Sequence, residues 1–124
     1  QWMFDGGISD ALPLQAAIDG GGKNILVIRT RPSGEHIAKG WLDTFATYWY
    51  RDTPAIVDLY NHGHTSYNAD VDRLKTGGEG RIRWEEIAPL KPLRSDGYRI
   101  NAGQLIQDYH HGMERALDWL ENQI

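Results

Sequence analysis

Asp5 is the residue whose type and position first suggest chemistry. It stands where the apolar run Trp2-Met3-Phe4 gives way to Gly6-Gly7. Gly tolerates the positive φ of a sharp turn, so the run reads as a strand that ends there. In open α/β sheets, ligands bind outside the carboxyl ends of strands, and a carboxylate at such an end faces a crevice from a rigid support. Asp5 can equally cap its own turn through an Asx-type hydrogen bond. The spacing leaves both roles open, and Gly6 and Gly7 support the turn in either.

Arg29 and Arg31 follow a second apolar run into a turn. On the sheet edge that carries Asp5 they could meet a phosphate or carboxylate of a substrate. Ion pairing with acidic neighbours is the competing expectation. Asp19-Gly20-Gly21-Gly22-Lys23 imitates a phosphate cradle, but it follows a helix and precedes a strand. A cradle needs the opposite order, so this loop reads as a helix C-cap. His62 and His64 are two apart, and His110 and His111 are adjacent. On a helix both pairs diverge, so they read as surface or rim residues and not as metal ligands. None of Ser9, Ser33, Ser66 and Ser95 has Gly two residues away on both sides, so the chain holds no nucleophile elbow. There is no Cys, which excludes disulfides, thiol catalysis and Cys-based zinc sites.

The elements that would position these residues can be read from periodicity. Pro13 suits the start of a short helix carrying Leu14, Ala17 and Ile18 on one face. Asn24 to Thr30 is a continuous β-branched run, as in a strand covered on both faces, hence parallel. Together with the first strand it makes a βαβ unit. Trp41 to Tyr50 reads as a helix whose aromatic cluster, Trp41, Phe45, Tyr48, Trp49 and Tyr50, packs on the sheet, with the lining of an acyl-chain cleft or contact with a membrane interface as the competing expectations. Thr53-Pro54 opens a long amphipathic helix with Ile56, Leu59, Tyr60, Gly63, Tyr67, Val71 and Leu74 in its stripe. Arg81 to Ile87 reads as a half-exposed or edge strand. Asn101 to Gln104 has capping-box spacing and starts a last helix, with Leu105, Ile106, Tyr109, Met113, Leu117 and Leu120 in its stripe.

With 124 residues the chain is a single unit. Thirteen Lys and Arg against 17 Asp and Glu give a net charge of −4, which argues against a nucleic-acid partner. No apolar run approaches the roughly 20 residues of a spanning helix. The apolar opening at Gln1-Trp2-Met3-Phe4 suits either a piece of a longer chain or a short native terminus.

Taken together, Asp5-Gly6-Gly7, Pro13 eight residues on, and the Lys23 to Pro32 strand and turn resemble the second half of a bacterial patatin-like phospholipase. Tyr60-Asn61, Tyr67-Asn68, Ala88-Pro89-Leu90, and Tyr109 before His111-Gly112 continue the resemblance. It implies an α/β fold with a mostly parallel sheet and packed helices, residues 1–124 being the C-terminal part of a larger domain. It implies hydrolysis of lipid acyl esters by a Ser-Asp dyad, with Asp5 as the acid and the Ser on a missing first half. A Ser hydroxyl becomes a good nucleophile once a positioned base takes its proton. This chain alone would be inactive. No cofactor is implied. The expected partners are an acyl-ester substrate, the membrane periphery, and a second copy or the missing half. The expected compartment is the cytoplasm. The competing expectations are a phosphate-binding module built on Gly20 to Gly22 and a noncatalytic interaction domain in which Asp5 caps its turn.

Overall fold

The computed structural model describes residues 7, 10–95 and 101–124. Asp5, Gly6 and the expected first strand lie outside the described residues, and so does its expected pairing with the second apolar run. The elements are α1 (Leu14–Asp19), β1 (Asn24–Ile28), α2 (Trp41–Trp49), α3 (Pro54–Leu74), β2 (Gly78–Glu79), β3 (Ile82–Ile87) and α4 (Ala102–Glu121). This is an α/β fold around a small mixed sheet of order β1-β3-β2. β1 pairs with β3 in parallel, Ile25 opposite Trp84 and Ile28 opposite Ile87. β2 pairs with β3 antiparallel. Among the described residues the one parallel pair is β1 with β3, and the segment read as a half-exposed or edge strand is half-exposed and lies between the other two strands. Its Trp84 is only 3% exposed.

The helix ends follow the local chemistry. Pro13 precedes α1 as its N-cap and is not its first residue. Gly20, Gly21 and Gly22 donate their N–H groups back to Ala16, Ile18 and Ala17, which makes the glycine run the helix terminus the order of elements required. Gly22 is obligatory there, because a Cβ would come within 2.8 Å of the Ala17 carbonyl oxygen. Asp43 Oδ2 accepts from the Gly40 N–H at 2.7 Å at the start of α2. Pro54 opens α3 behind Thr53. Asn101 Oδ1 accepts from the N–H groups of Gly103 at 2.9 Å and Gln104 at 3.3 Å, so Asn does fill the cap of α4.

The core lies between α1, α3 and one face of the sheet. Leu12, Leu14, Tyr67, Val71, Leu74 and Trp84 form it, with Ile25 and Val27 packed against them. The indole N–H of Trp84 donates to the Leu74 carbonyl at 3.2 Å, which satisfies its one buried donor. α2 does not pack on the sheet. It rests on α3 and exposes Trp41, Leu42, Phe45, Tyr48 and Trp49. The expectation of a buried aromatic stripe is corrected there: α1 and α3 already cover that face of the sheet.

Candidate functional site

α3 supplies the wall of a cleft of about 170 Å³ that also reaches Gly7, two residues from Asp5. Tyr60, His64, Tyr67 and Asp70 project into it at helical spacings of three and four, and Asp10 and Asp43 close it from the preceding segments. Asp70 titrates above the ordinary carboxylate range because burial disfavours its charge, and the Asp10 carboxylate adds to that repulsion. His64 Nδ1 is buried without a hydrogen-bond partner among the described residues. Its Nε2 lies 3.4 Å from the Thr65 hydroxyl.

Tyr60 and Asp43 also border a second, apolar trough of about 410 Å³ between α2 and α3. Leu42, Phe45, Trp49 and Tyr50 line it, and Phe45 stacks on Trp49 with ring centroids 6.2 Å apart. The mixed cleft and the apolar trough thus share two side chains in their walls.

The two arginines are separated by the fold. Arg29 is buried, its guanidinium 2.7 Å from both Glu86 Oε1 and the Tyr67 hydroxyl. Burial works to lower its pKa, and the bonds to Glu86 and Tyr67 outweigh that and raise it. Arg29 is therefore an internal ion pair that ties β1 to β3 and α3. Arg31 is exposed, and its guanidinium lies 3.4 Å from Glu35 Oε1, the ion pairing with an acidic neighbour that was the competing expectation. The histidines outside the cleft have local partners: His36 bonds Asp72, His62 bonds Asp58, and His111 accepts from the Leu90 N–H. Among the described residues no group of three His, Cys, Asp or Glu is placed to hold a metal, and no helix is long and apolar enough to cross a membrane.

Reading the sequence assigned His64 no role beyond a surface or rim residue and missed Asp70. Both interrupt the apolar stripe of α3 on its cleft side, Tyr60 to His64 and Ser66 to Asp70 being four residues apart. A polar residue on a buried stripe was the available signal.

A family model described as Domain of unknown function (DUF6363) matches residues 53–124. An uncharacterized protein of Escherichia coli (strain K12), YjjU, is 36% identical over 111 residues, which cover 88% of this chain and 30% of that relative. The chain thus spans about a third of the length of the curated relative it matches. No solved structure matches. Neither match is described as a patatin-like phospholipase, and that resemblance is corrected accordingly. The matched family residues, 53–124, exclude the Asp5 to Pro32 run that carried most of it. The classes taken with it, serine hydrolase and lipid degradation, have no support from either match. Over α3, the two strands after it and α4, the chain belongs to the DUF6363 family of domains of unknown function.

Proposed function

We propose that the chain contributes the acid of an acyl-ester-cleaving site in its full-length protein, with Asp5 as that acid and a Ser hydroxyl supplied from outside residues 1–124. The observation that carries this reading is the paired cavity. A cleft that carries Asp10, Asp43, His64 and Asp70 and reaches Gly7 shares Tyr60 and Asp43 with an aromatic trough beside it. Such a pair suits a substrate with a carbonyl at one end and a hydrocarbon chain at the other. The Asp5 carboxylate takes the Ser proton as the oxygen attacks the ester carbonyl. It returns that proton to the departing alcohol, and water repeats the cycle on the acyl-Ser. Asp10, Asp43 and Asp70 make the cleft acidic, which favours an uncharged ester over an anionic one. The mostly parallel sheet expected from the sequence is, on this reading, a property of the full-length protein.

Asp5→Asn in the full-length protein tests the proposal. Asn keeps the size of the side chain and its turn-capping ability but cannot accept the proton. Initial rates with a chromogenic fatty-acyl ester should fall on the order of 10⁴-fold, as when one member of a triad is lost, with circular dichroism unchanged. Turnover near that of the parent in a folded variant would leave Asp5 as a turn cap.

A further inference from the structure

We propose that residues 36–39, between β1 and α2, form a movable wall of the cleft, seated on α3 by Asn68. That the cleft takes a substrate rests on the proposed function. That its wall opens does not.

Both ends of this strap are fixed through their backbone groups. Before it, the Glu35 N–H donates to the Pro32 carbonyl at 3.2 Å, and the Glu35 carbonyl accepts from Arg29 at 3.4 Å. After it, the Gly40 N–H donates to Asp43 at 2.7 Å. The middle is held by side chains of α3, which it follows in the opposite direction. Lys39 Nζ donates to Asn61 Oδ1 at 2.7 Å. Asn68 Oδ1 accepts from the Ile37 N–H, and its Nδ2 donates to the Ile37 carbonyl, both at 2.8 Å. His36 Nε2 lies 2.9 Å from Asp72 Oδ1. Asn61, Asn68 and Asp72 fall within about 40° of arc at 3.6 residues per turn, so a single polar stripe seats the strap. The stripe beside it, with Tyr60, His64 and Tyr67, lines the cleft, and Ile37 and Ala38 line it from the strap.

Asn68 makes the main joint. A carboxamide offers an acceptor and donors, and here it satisfies both backbone groups of Ile37, as a neighbouring strand would. Among the described residues, no backbone-to-backbone bond holds residues 36–39. The joints at Lys39 and His36 are exposed, where polar pairs contribute little. Ile37 is the strap's one large apolar side chain, and it packs against the core. A segment with so few buried contacts and with exposed bonds opens locally, without the core. The helix beneath it is different: Tyr67 is 9% and Val71 1% exposed. When the strap lifts, Ile37 and Ala38 leave the cleft and the Tyr67 face of α3 is uncovered.

Two measurements on the full-length protein test this. Amide hydrogen exchange compares Ile37 in the strap with Val71 in the core. Ile37 should exchange on the order of 10-fold or more slowly than free peptide, and on the order of 10-fold or more faster than Val71. Urea below the unfolding transition should hasten Val71 and leave Ile37 nearly unchanged, since lifting the strap exposes little surface. Hydroxyl-radical oxidation then reads the cleft. Asn68→Ala removes both bonds to Ile37 and should raise the lifted population on the order of 10-fold. Oxidation of Tyr67 should increase several-fold, while exposed Tyr48 and buried Trp84 keep their rates. If Asn68→Ala does not fold, Asn68→Asp, which keeps the acceptor and loses the donor, should give a smaller increase of the same sign. Equal rates and equal urea dependence for Ile37 and Val71 would overturn the proposal, because the strap would open only with the core. Free-peptide exchange at Ile37 would overturn it too, since the strap would not be seated. So would unchanged Tyr67 oxidation in a folded variant. A parent that shows the expected pattern but cleaves no ester would keep the movable wall and remove the proposed function.

Discussion

The two sides of the sheet are built to different degrees. On one side α1 and α3 close a core around Val71, 1% exposed, with Leu14 and Trp84 beside it. On the other, among the described residues, α4 covers β3 and leaves Ile28 of β1 75% exposed. Both sides carry apolar residues. What differs is whether a described element reaches across. Where it does, even charge is buried, as in Arg29 with Glu86 and Tyr67. Where it does not, the apolar residues wait at the surface. Apolar composition therefore marks both a core and an interface, and only the topology separates them.

The sharpest way to break the comparison is to cut into the finished side. Trp84→Ala removes the largest core side chain, its N–H bond to Leu74 and the Arg73 guanidinium stacked 5.5 Å from its ring. Truncation of a buried Trp costs about 3–5 kcal/mol. Urea unfolding of the full-length protein should show a loss of that order. A loss below about 1 kcal/mol, the range of ordinary surface changes, would mean that the α1–α3 side is not the core.

Much of this architecture was legible in the sequence, and the failures lie where residues far apart in the chain decide the outcome. The long helix from Pro54, the apolar strand from Asn24, the glycine terminus of α1 and the Asn101 cap are local features, and each follows from residues within a few positions. The strand Ile82–Ile87 was legible as half-exposed, but its central place in the sheet was not. Arg83 and Glu85 alternate with Ile82 and Trp84, and Glu86 then breaks the pattern by falling on the Trp84 face. Glu86 lies inward only because Arg29, 57 residues earlier, neutralises it. That pairing is invisible to periodicity. α2 failed for the opposite reason. Its aromatic stripe asked for a partner, and α1 and α3 had already taken the face of the sheet. Of the candidate site, Asp5 was singled out by its turn. His64 and Asp70 emerged only when α3 was seen to turn them into the same cleft that Gly7 lines.

Asp70 sharpens the comparison at the margin of the core, through pH. Its folded-state pKa lies above the ordinary value of 3.8, first through burial and then through Asp10. For a group raised in the folded state, the stabilising contribution is full below the unfolded value. It is lost as pH rises through the folded value. Asp70→Asn stays neutral throughout and escapes that loss. Relative to the parent, the variant should therefore gain stability as pH rises from about 3 towards 7, by less than about 1 kcal/mol given partial solvent screening. Urea midpoints across that range measure it. A gain that appears instead on acidification would show that Asp70 is held as an anion in the folded protein.

The smallest expected effect belongs to the aromatic trough on the unfinished side. Phe45 is exposed and stacks on Trp49, itself exposed, and neither belongs to the core. Burial free energy scales with the apolar area removed from water, and a side chain that stays in water contributes little. Phe45→Ser should accordingly change the stability of the full-length protein by no more than about 0.5 kcal/mol, as for other surface positions. The same substitution removes one wall of the cavity proposed to take an acyl chain. If the trough serves that end, the KM for a long-chain ester should rise while that for an acetyl ester stays put, because only the long chain reaches Phe45. The two readouts separate the alternatives. A stability loss above about 1.5 kcal/mol would mean that the trough is covered in the full-length protein, as a buried apolar side chain costs at least that much to lose. The α2 surface would then be an interface of the full-length protein. An unchanged stability with no dependence of KM on chain length would remove the trough from the substrate path, and with it the main support for an ester with a hydrocarbon tail.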